Sequence, residues 1–264
     1  MADDRAAPEP PELTKTLFTA LEDKAKLPLR TMIVLGVLAG VYIGLGGLFA
    51  TVALAGTDEL PFGVAQVLAG LVFSVGLALV LIAGAELFTG NTLMAGPVAA
   101  SSLTAPSALR ALGIVYVSNF IGSLLLAIVV FLAGVQEAGE GAVGRAALDL
   151  GATKVEKSIA TTFASGILAN MFVCLAVWMA YAGRTVTEKF AGLFLPVAAF
   201  VAVGLEHSVA NMYLLPYAFL VQNAGTGVSI SLGGIVANLV PATLGNLVGG
   251  SLIALAYGYV YARR

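Results

Sequence analysis

Gly204-Leu-Glu-His-Ser-Val-Ala-Asn211 is the stretch of sequence that decides the fold. It holds the only histidine of the chain, His207, beside the carboxylate of Glu206. From Ser208 to Ala262 the chain contains no Asp, Glu, Lys or Arg. Ionisable side chains within such apolar membrane sequence are costly and rare, and they mark a functional site by default. The alternative is a buried histidine that backbone groups satisfy.

A second stretch, Gly84-Ala-Glu-Leu-Phe-Thr-Gly-Asn91, repeats the frame Gly-x-Glu-x-x-x-x-Asn earlier in the chain. Each stretch interrupts a long apolar segment. Backbone groups freed in this way are tolerated at membrane depth only where protein buries them or where they line a cavity. Half-helices that begin near Asn91 and Asn211 would point their positive ends at the centre, which favours an anion or an electronegative group there.

Composition places the chain among membrane proteins. Of its 264 residues, 59% are hydrophobic and 11% are charged, whereas soluble domains carry about 25% charged residues. Most charge-free runs reach the roughly 20 residues that a spanning helix needs. The single cysteine, Cys174, excludes an internal disulfide, and neither a metal cluster nor a cofactor motif is visible. We therefore predict a multi-pass all-α membrane protein with no cofactor, no metal and no nucleic-acid partner.

Six spans are predicted. They cover about 31–55, 63–86, 110–134, 158–182, 188–205 and 229–258, with short apolar pieces at about 91–104 and up to Leu220 after the two interruptions. The turn Gln222-Asn-Ala-Gly-Thr-Gly227 precedes the sixth span. Trp178 and Tyr181 are expected at a membrane interface, where aromatic belts lie.

Three regions are distinguished along the chain. Residues 1–12 are acidic and proline-rich and predict a disordered tail, and residues 13–28 predict an amphipathic helix at the membrane surface or against the bundle. Residues 29–264 form one pore domain, with repeat halves at about 29–135 and 158–262. One long polar loop is expected at 136–157.

The basic residues predict the orientation. With a cytoplasmic N-terminus, only Arg145, Lys154 and Lys157 of the 13 basic residues fall outside. Because cytoplasmic segments are enriched in Lys and Arg, both termini are predicted to lie in the cytoplasm, with the protein in the inner (plasma) membrane.

The two halves of the chain match each other in order. Gly36-Val-Leu-Ala-Gly resembles Gly166-Ile-Leu-Ala-Asn, the two Gly-x-Glu interruptions correspond, and Asn119-Phe-Ile-Gly122 resembles Asn246-Leu-Val-Gly249. Because each half has three spans, the second half must be inverted in the membrane. Inverted repeats with broken helices in corresponding positions indicate a transport site near the midplane.

The expected lining of that site is apolar. It comprises Phe73, Leu77, Leu87, Phe88 and Phe200, with the Thr89 hydroxyl and the His207 imidazole as central polar groups. Desolvation disfavours the charged form of a weak acid, so an entering anion is pushed towards taking a proton from histidine or water. Lys154 and Lys157 could concentrate anions at the outer mouth. Ordinary packing of the phenylalanines and plain solvation of the lysines are the alternatives.

Four stretches carry a resemblance to a known family. Gly84–Gly90, Gly166–Ala176, Gly204–Met212 and Asn238–Gly250 resemble signature stretches of the formate/nitrite transporter family, and the likeness covers roughly 13–260. The resemblance implies an aquaporin-like protomer of six transmembrane helices, arranged as inverted three-helix repeats with two broken helices, in a homopentamer with one pore per protomer.

The resemblance also implies roles for individual residues. His207 is the central pore histidine, Thr89 the hydroxyl that faces it, and Lys154 the basic residue of the outer vestibule. The hydrophobic constrictions match Phe73, Leu77, Leu87, Phe88 and Phe200. Glu206 and Asn170 are polar residues expected to orient His207 and Lys154, and Glu86, Asn91 and Asn211 lie behind the pore.

The resulting hypothesis is a passive or proton-coupled transporter of a small monovalent weak-acid anion, with formate first, nitrite second and hydrosulfide third. An aquaporin-like neutral-solute channel is an alternative of a different class, although Asn91 and Asn211 are followed by Thr92 and Met212 rather than by Pro-Ala. A membrane enzyme that uses His207 as a base is a further alternative. It is disfavoured because no nucleophile or metal cluster accompanies the histidine.

Overall fold

The structure, a computed structural model, describes residues 7–57, 59–222 and 229–262. Residues 1–6 of the predicted tail, most of the predicted turn at 222–227 and the last two residues lie outside this part. Within it the chain is helical and contains no strand. The helices are α1 Pro10–Ala25, α2 Leu29–Leu54, α3 Phe62–Ala83, α4 Phe88–Asn91, α5 Ala95–Ala99, α6 Ala105–Leu132, α7 Ala142–Val155, α8 Ile159–Ala182, α9 Val186–Ala202, α10 Ser208–Val221 and α11 Leu232–Tyr257.

Five of the six membrane crossings follow from helix length and composition. Among the described residues, α2, α3, α6, α8 and the segment Leu232–Ala262 are each long and apolar enough to span a bilayer. The remaining crossing is made by two helices and precedes α11 in the chain. Its first part, α9, has 17 residues and stops at Ala202, and its second part, the shorter α10, begins at Ser208. The predicted all-α fold with inverted three-helix repeats is confirmed.

Both breaks are made by a glycine in the left-handed region. Gly84 has φ 83° at the end of α3, and Gly204 has φ 72° after α9. Glycine adopts this conformation without the steric penalty of a Cβ atom. Each helix therefore ends one or two residues before the Gly of the Gly-x-Glu frame, and a short helix restarts at Phe88 or Ser208.

An asparagine on α6 holds the first break in place. The Nδ2 atom of Asn119 donates to the carbonyl oxygens of Gly36 (2.7 Å) and Glu86 (2.9 Å). Its Oδ1 atom accepts from the backbone N–H of Phe88 at 2.9 Å. Backbone groups that the break frees are thus satisfied by one buried side chain, as burial in an apolar medium requires.

Asn246 on α11 holds the second break in the same way. Its Nδ2 atom donates to the carbonyl oxygens of Gly166 (2.8 Å) and Glu206 (3.0 Å). Its Oδ1 atom accepts from the backbone N–H of Ser208 at 2.8 Å. The residues matched between the two halves of the sequence therefore make equivalent contacts, which is the physical basis of the internal repeat.

Close approach of helices depends on small residues at the contacts. Gly36 and Gly40 of α2 lie against α6, where side chains at these positions would meet Ser118 and Asn119. Gly122 of α6 lies against the carbonyl oxygen of Val37, with no space for a Cβ atom. Small residues permit such close backbone contacts between membrane helices.

We expect Gly122→Ala to destabilise the protein, because its methyl group would overlap the Val37 carbonyl and force α2 and α6 apart. Overpacking of this kind costs about 1–3 kcal/mol. The matched control is Gly113→Ala on the same helix, where a Cβ atom meets nothing within 4 Å. Thermal unfolding in detergent should show a midpoint several degrees lower for Gly122→Ala and unchanged or higher for Gly113→Ala. Equal midpoints for the two variants would contradict the close-contact argument.

Helix α1 packs against the bundle. It begins at Pro10, three residues before the predicted start, and it buries Leu17, Phe18 and Leu21. Phe18 meets Trp178 edge-on, with ring centroids 6.4 Å apart. Trp178, near the end of α8, is only 5% exposed, so it packs against other side chains. The covering helix α1 removes it from the surface.

The prediction of a polar loop at 136–157 is wrong, because most of this segment forms helix α7. Val143, Ala147 and Gly151, spaced four residues apart, are buried. This spacing gives one apolar helical face, which packs against α10. Helix formation fixes Lys154 in the last turn of α7.

Candidate functional site

His207 lies at the centre of the protein, at the N-terminus of α10. It is 2% exposed. Its Nδ1 atom accepts a hydrogen bond from the backbone N–H of Ala210 at 3.0 Å and so caps the helix. Since Nδ1 is an acceptor, the neutral imidazole carries its proton on Nε2. That N–H donates to the Thr89 hydroxyl oxygen at 2.9 Å.

Thr89 reaches His207 from the other broken helix. It lies in α4 and is fully buried. Asn170 of α8 donates to the Thr89 carbonyl oxygen (3.2 Å), the Thr92 hydroxyl (2.9 Å) and the Asn246 carbonyl oxygen (2.6 Å). None of these hydrogen bonds involves His207 or Lys154 directly, and Asn170 is connected to His207 through Thr89. Asn170 instead fixes the backbone that carries Thr89.

An apolar chamber adjoins His207 on the face that carries α7, which we call the α7 side. Phe73, Phe200 and His207 line a cavity of about 80 Å³ there, large enough for a small solute. The Phe73 and Phe200 rings meet edge-on with centroids 5.7 Å apart. The Phe200 ring lies 5.6 Å from that of His207. Two aromatic rings and one imidazole therefore line the chamber, together with aliphatic side chains and the polar Gln66, Lys154 and Asn211.

On the opposite face, which we call the α1 side, the path narrows at Leu87. This residue lines a cavity of about 20 Å³ together with Gly90 and Asn91. A wider cavity of about 530 Å³ lies beside it. Leu77 is buried in the apolar core, and the Phe88 ring packs edge-on against Tyr116 with centroids 4.8 Å apart. His207, Thr89 and Leu87 thus separate the cavities of the two faces.

A buried ionic cluster lies beside the chamber on the α7 side. Glu206 is fully buried. Its carboxylate accepts from Lys157 at 2.7 Å and from Lys154 at 3.2 and 3.3 Å. The side-chain amides of Asn211 (2.5 Å) and Asn238 (3.2 Å) also donate to it. Each of these groups favours the ionised carboxylate.

Glu206 therefore has a narrower role than the sequence predicted. It contacts Lys154 as expected, but its side chain makes no hydrogen bond with the His207 ring, whose two nitrogens bond Ala210 and Thr89. Burial lowers the pKa of Lys154 below its usual value, Glu206 opposes that shift, and the neighbouring Lys157 adds to it. The ammonium is thus held in a confined place near a second positive charge.

A simpler version of this cluster lies on the α1 side. Lys24 of α1 donates to one carboxylate oxygen of Glu86 at 2.7 Å, and Asn91 donates to the other at 2.9 Å. Glu86 is 5% exposed. Glu86 and Asn91 correspond to Glu206 and Asn211 in the sequence repeat, so the two halves place a paired carboxylate on each side of the centre.

Two residues of these clusters were missed in the sequence. Lys24 lies in an amphipathic segment in which several lysines look alike, and nothing in the pattern marks it. Asn238 did carry a signal, because a polar amide within the charge-free run 208–262 needs a buried partner. No group of three or more potential metal ligands occurs in the described part of the chain.

Comparison with known proteins agrees with this architecture. The family model of the formate/nitrite transporters matches residues 11–261. The chain belongs to the formate/nitrite transporter family. The Formate channel FocA of Escherichia coli (strain K12) is 36% identical over 253 residues, which cover 90% of this chain and 88% of the relative. A probable formate transporter of Methanothermobacter thermautotrophicus is 36% identical over 278 aligned positions, which cover 96% of this chain and 97% of the relative.

Solved structures of this family have the same fold. A pentameric formate channel with formate bound superimposes with a TM-score of 0.81 at 33% identity, over 89% of this chain and 98% of that one. A second structure, described as an FNT family ion channel, gives a TM-score of 0.82 at 31% identity, over 95% of this chain and 98% of that one. These relatives are channels and transporters. The chain is accordingly a membrane transport protein and not an enzyme.

Proposed function

We propose that this protein carries formate across the inner (plasma) membrane as a proton-coupled or passive channel, with His207 at the centre of the pore. The proposal draws on the relatives, several of which are named formate channels. The observation that carries it is the polar pair of His207 and Thr89, 2.9 Å apart, at the end of a chamber lined by aromatic rings.

Capture of the anion is the first step. A cavity of about 390 Å³, lined by Lys154, Lys157 and Gln66, forms the mouth on the α7 side. Positive charge in a confined cleft raises the local concentration of anions. Lys154 also lines the inner chamber, so it can accompany an anion from the mouth inwards.

Passage through the chamber is the second step. The Phe73 and Phe200 rings offer no polar group, and they replace the water around the anion. Loss of hydration disfavours the charged form, so formate takes a proton and crosses as the neutral acid. The polar pair of His207 and Thr89 supplies a hydrogen bond there. The proton comes from the external solution together with the anion, so no hydroxide is left behind and His207 keeps its own Nε2 proton.

Orientation and assembly complete the proposal. The distribution of basic residues supports cytoplasmic termini, with the α7 side outside. Lipid then surrounds the spanning helices. The pentameric relative supports a homopentamer in which each protomer has its own pore.

The proposal is tested with the purified protein in liposomes, comparing formate, nitrite and hydrosulfide fluxes from pH 5 to 8. We expect formate to give the largest flux and the flux to rise as the outside is acidified, because more of the external formate is then protonated or accompanied by a proton. A strong preference for nitrite or hydrosulfide would retain the pore and replace the substrate. Flux of water or glycerol with none of these anions would favour the neutral-solute alternative.

A further inference from the structure

The Glu206 carboxylate is crowded with hydrogen-bond donors. Its Oε1 atom is approached by Lys157 and Lys154, and its Oε2 atom by Lys154, Asn211 and Asn238. These five contacts come from four donor groups, because Lys154 approaches both oxygens. An ionised carboxylate offers about four lone-pair positions, two on each oxygen. Oε2 thus has three contacts for two positions, so the donors there compete and one of them is held loosely.

Lys154 is the loosely held donor. Its ammonium makes contacts of 3.3 and 3.2 Å, one to each carboxylate oxygen. Charge-assisted N–H···O bonds are typically about 2.7–2.9 Å long. Lys157 lies within that range, at 2.7 Å from Glu206, and it also donates to the Gly204 carbonyl oxygen at 2.9 Å. Lys157 is therefore the principal counter-ion of the carboxylate.

The cluster on the α1 side has no surplus of positive charge. Among the described residues, Glu86 accepts from one ammonium, Lys24, and from one amide, Asn91, at 2.7 and 2.9 Å. One positive charge there balances one negative charge. On the α7 side two ammonium groups face one carboxylate, which leaves a net positive charge of one in the buried cluster.

The surplus positive charge lies between the mouth and the aromatic chamber. Lys154 lines both the mouth and the aromatic chamber, whereas Lys157 lines the mouth alone. Asp149 also lines the mouth, but its side chain is exposed, so water and salt screen its charge. The ammonium of Lys154 is thus the cation placed between the two cavities.

We propose that Lys157 is a positioning residue that neutralises Glu206 and so leaves the Lys154 ammonium free to bind an anion passing from the mouth to the chamber. This rests on the proposed function. Without Lys157, Lys154 is the one cationic partner of Glu206 that remains among the described residues. The carboxylate then competes with the incoming anion for the same ammonium.

The test compares Lys157→Met with Lys157→Arg in liposomes, measuring flux against external formate concentration. We expect Lys157→Met to raise the half-saturating concentration roughly threefold or more, as the loss of a partly buried charge contact implies, with maximal flux retained. Lys157→Arg keeps the counter-ion and should resemble the wild type. A parallel loss of flux at all concentrations, with less assembled protein, would indicate a purely structural role and overturn the proposal.

A second background isolates the electrostatic cause. In Glu206→Gln the competing charge is absent, so adding Lys157→Met should change the half-saturating concentration little. Coupling between contacting residues is measured by such double-mutant cycles. An equal effect of Lys157→Met in both backgrounds would contradict the counter-ion role.

A structural readout separates this proposal from the proposed function. In a cryo-EM structure of Lys157→Met, the Lys154 ammonium should close on Glu206 from 3.2 Å to a normal ion-pair distance. If the wild type prefers nitrite or hydrosulfide, the kinetic comparison uses that anion, and the formate assignment alone fails. If the Lys154 contact does not shorten in the variant, the proposal fails whatever the substrate.

Discussion

We expect His207→Phe to abolish formate uptake that depends on pH while the oligomer still assembles. Phenylalanine fills the ring volume between Phe200 and Thr89 but removes the N–H that the Thr89 hydroxyl accepts at 2.9 Å. The path then contains no imidazole to bond the formate oxygen as its hydration is lost. Flux into liposomes at several external pH values measures the effect, and it should fall to that of protein-free liposomes.

The control for this variant must preserve the helix cap. His207 also accepts from the Ala210 backbone N–H, and asparagine is among the best residues for that capping position. His207→Asn should therefore unfold at a temperature close to that of the wild type and still lose uptake, because its shorter side chain withdraws from Thr89. Retention of pH-dependent flux in both variants would remove the central role of the histidine.

We expect Asn246→Leu to prevent accumulation of assembled protein. The side chain satisfies the carbonyl oxygens of Gly166 and Glu206 and the N–H of Ser208, at 2.8, 3.0 and 2.8 Å. Each buried backbone group left without a partner costs about 1–3 kcal/mol. The Glu206 carbonyl and the Ser208 N–H lie at the second break itself, and the Gly166 carbonyl lies on the neighbouring helix α8. Size-exclusion chromatography of membrane extracts and the thermal midpoint of any recovered protein measure the loss.

Two comparisons define the specificity of this effect. Asn119→Leu removes the equivalent contacts at the first break and should be similarly damaging. Thr243→Val on the same helix as Asn246 removes one hydrogen bond between side chains, to Tyr116, and should leave assembly nearly unchanged. If Asn246→Leu were as mild as Thr243→Val, water or helix movement would have to satisfy the freed groups.

The broken-helix architecture was predictable because its causes are local. Gly84 and Gly204 end their helices in a conformation that glycine favours, and the Glu that follows each of them marks a polar site in apolar sequence. Asn119 and Asn246 occur at matching positions in the two halves. A membrane permits few ways to satisfy the backbone at such a break, so these short patterns restrict the fold strongly.

The polar contacts around the pore were less predictable because they join residues distant in the chain. Asn170 was expected beside His207 or Lys154, and it bonds Thr89 and Asn246 instead. Lys24 meets Glu86 across 62 positions in sequence. Lys15, Lys24 and Lys26 of the amphipathic segment have equivalent patterns in the sequence, and only the packing of α1 selects Lys24.

By itself the sequence determined an all-α membrane protein with inverted repeats, two broken helices and a histidine near the centre, because hydropathy and unsatisfied backbone groups leave few alternatives in lipid. Only the tertiary structure decided that 136–157 is largely helical, that Trp178 is covered by α1, and that two lysines share Glu206. These features depend on which helix faces lie in contact. Contacts between distant segments are set by the packing of the whole bundle, and no local pattern encodes them.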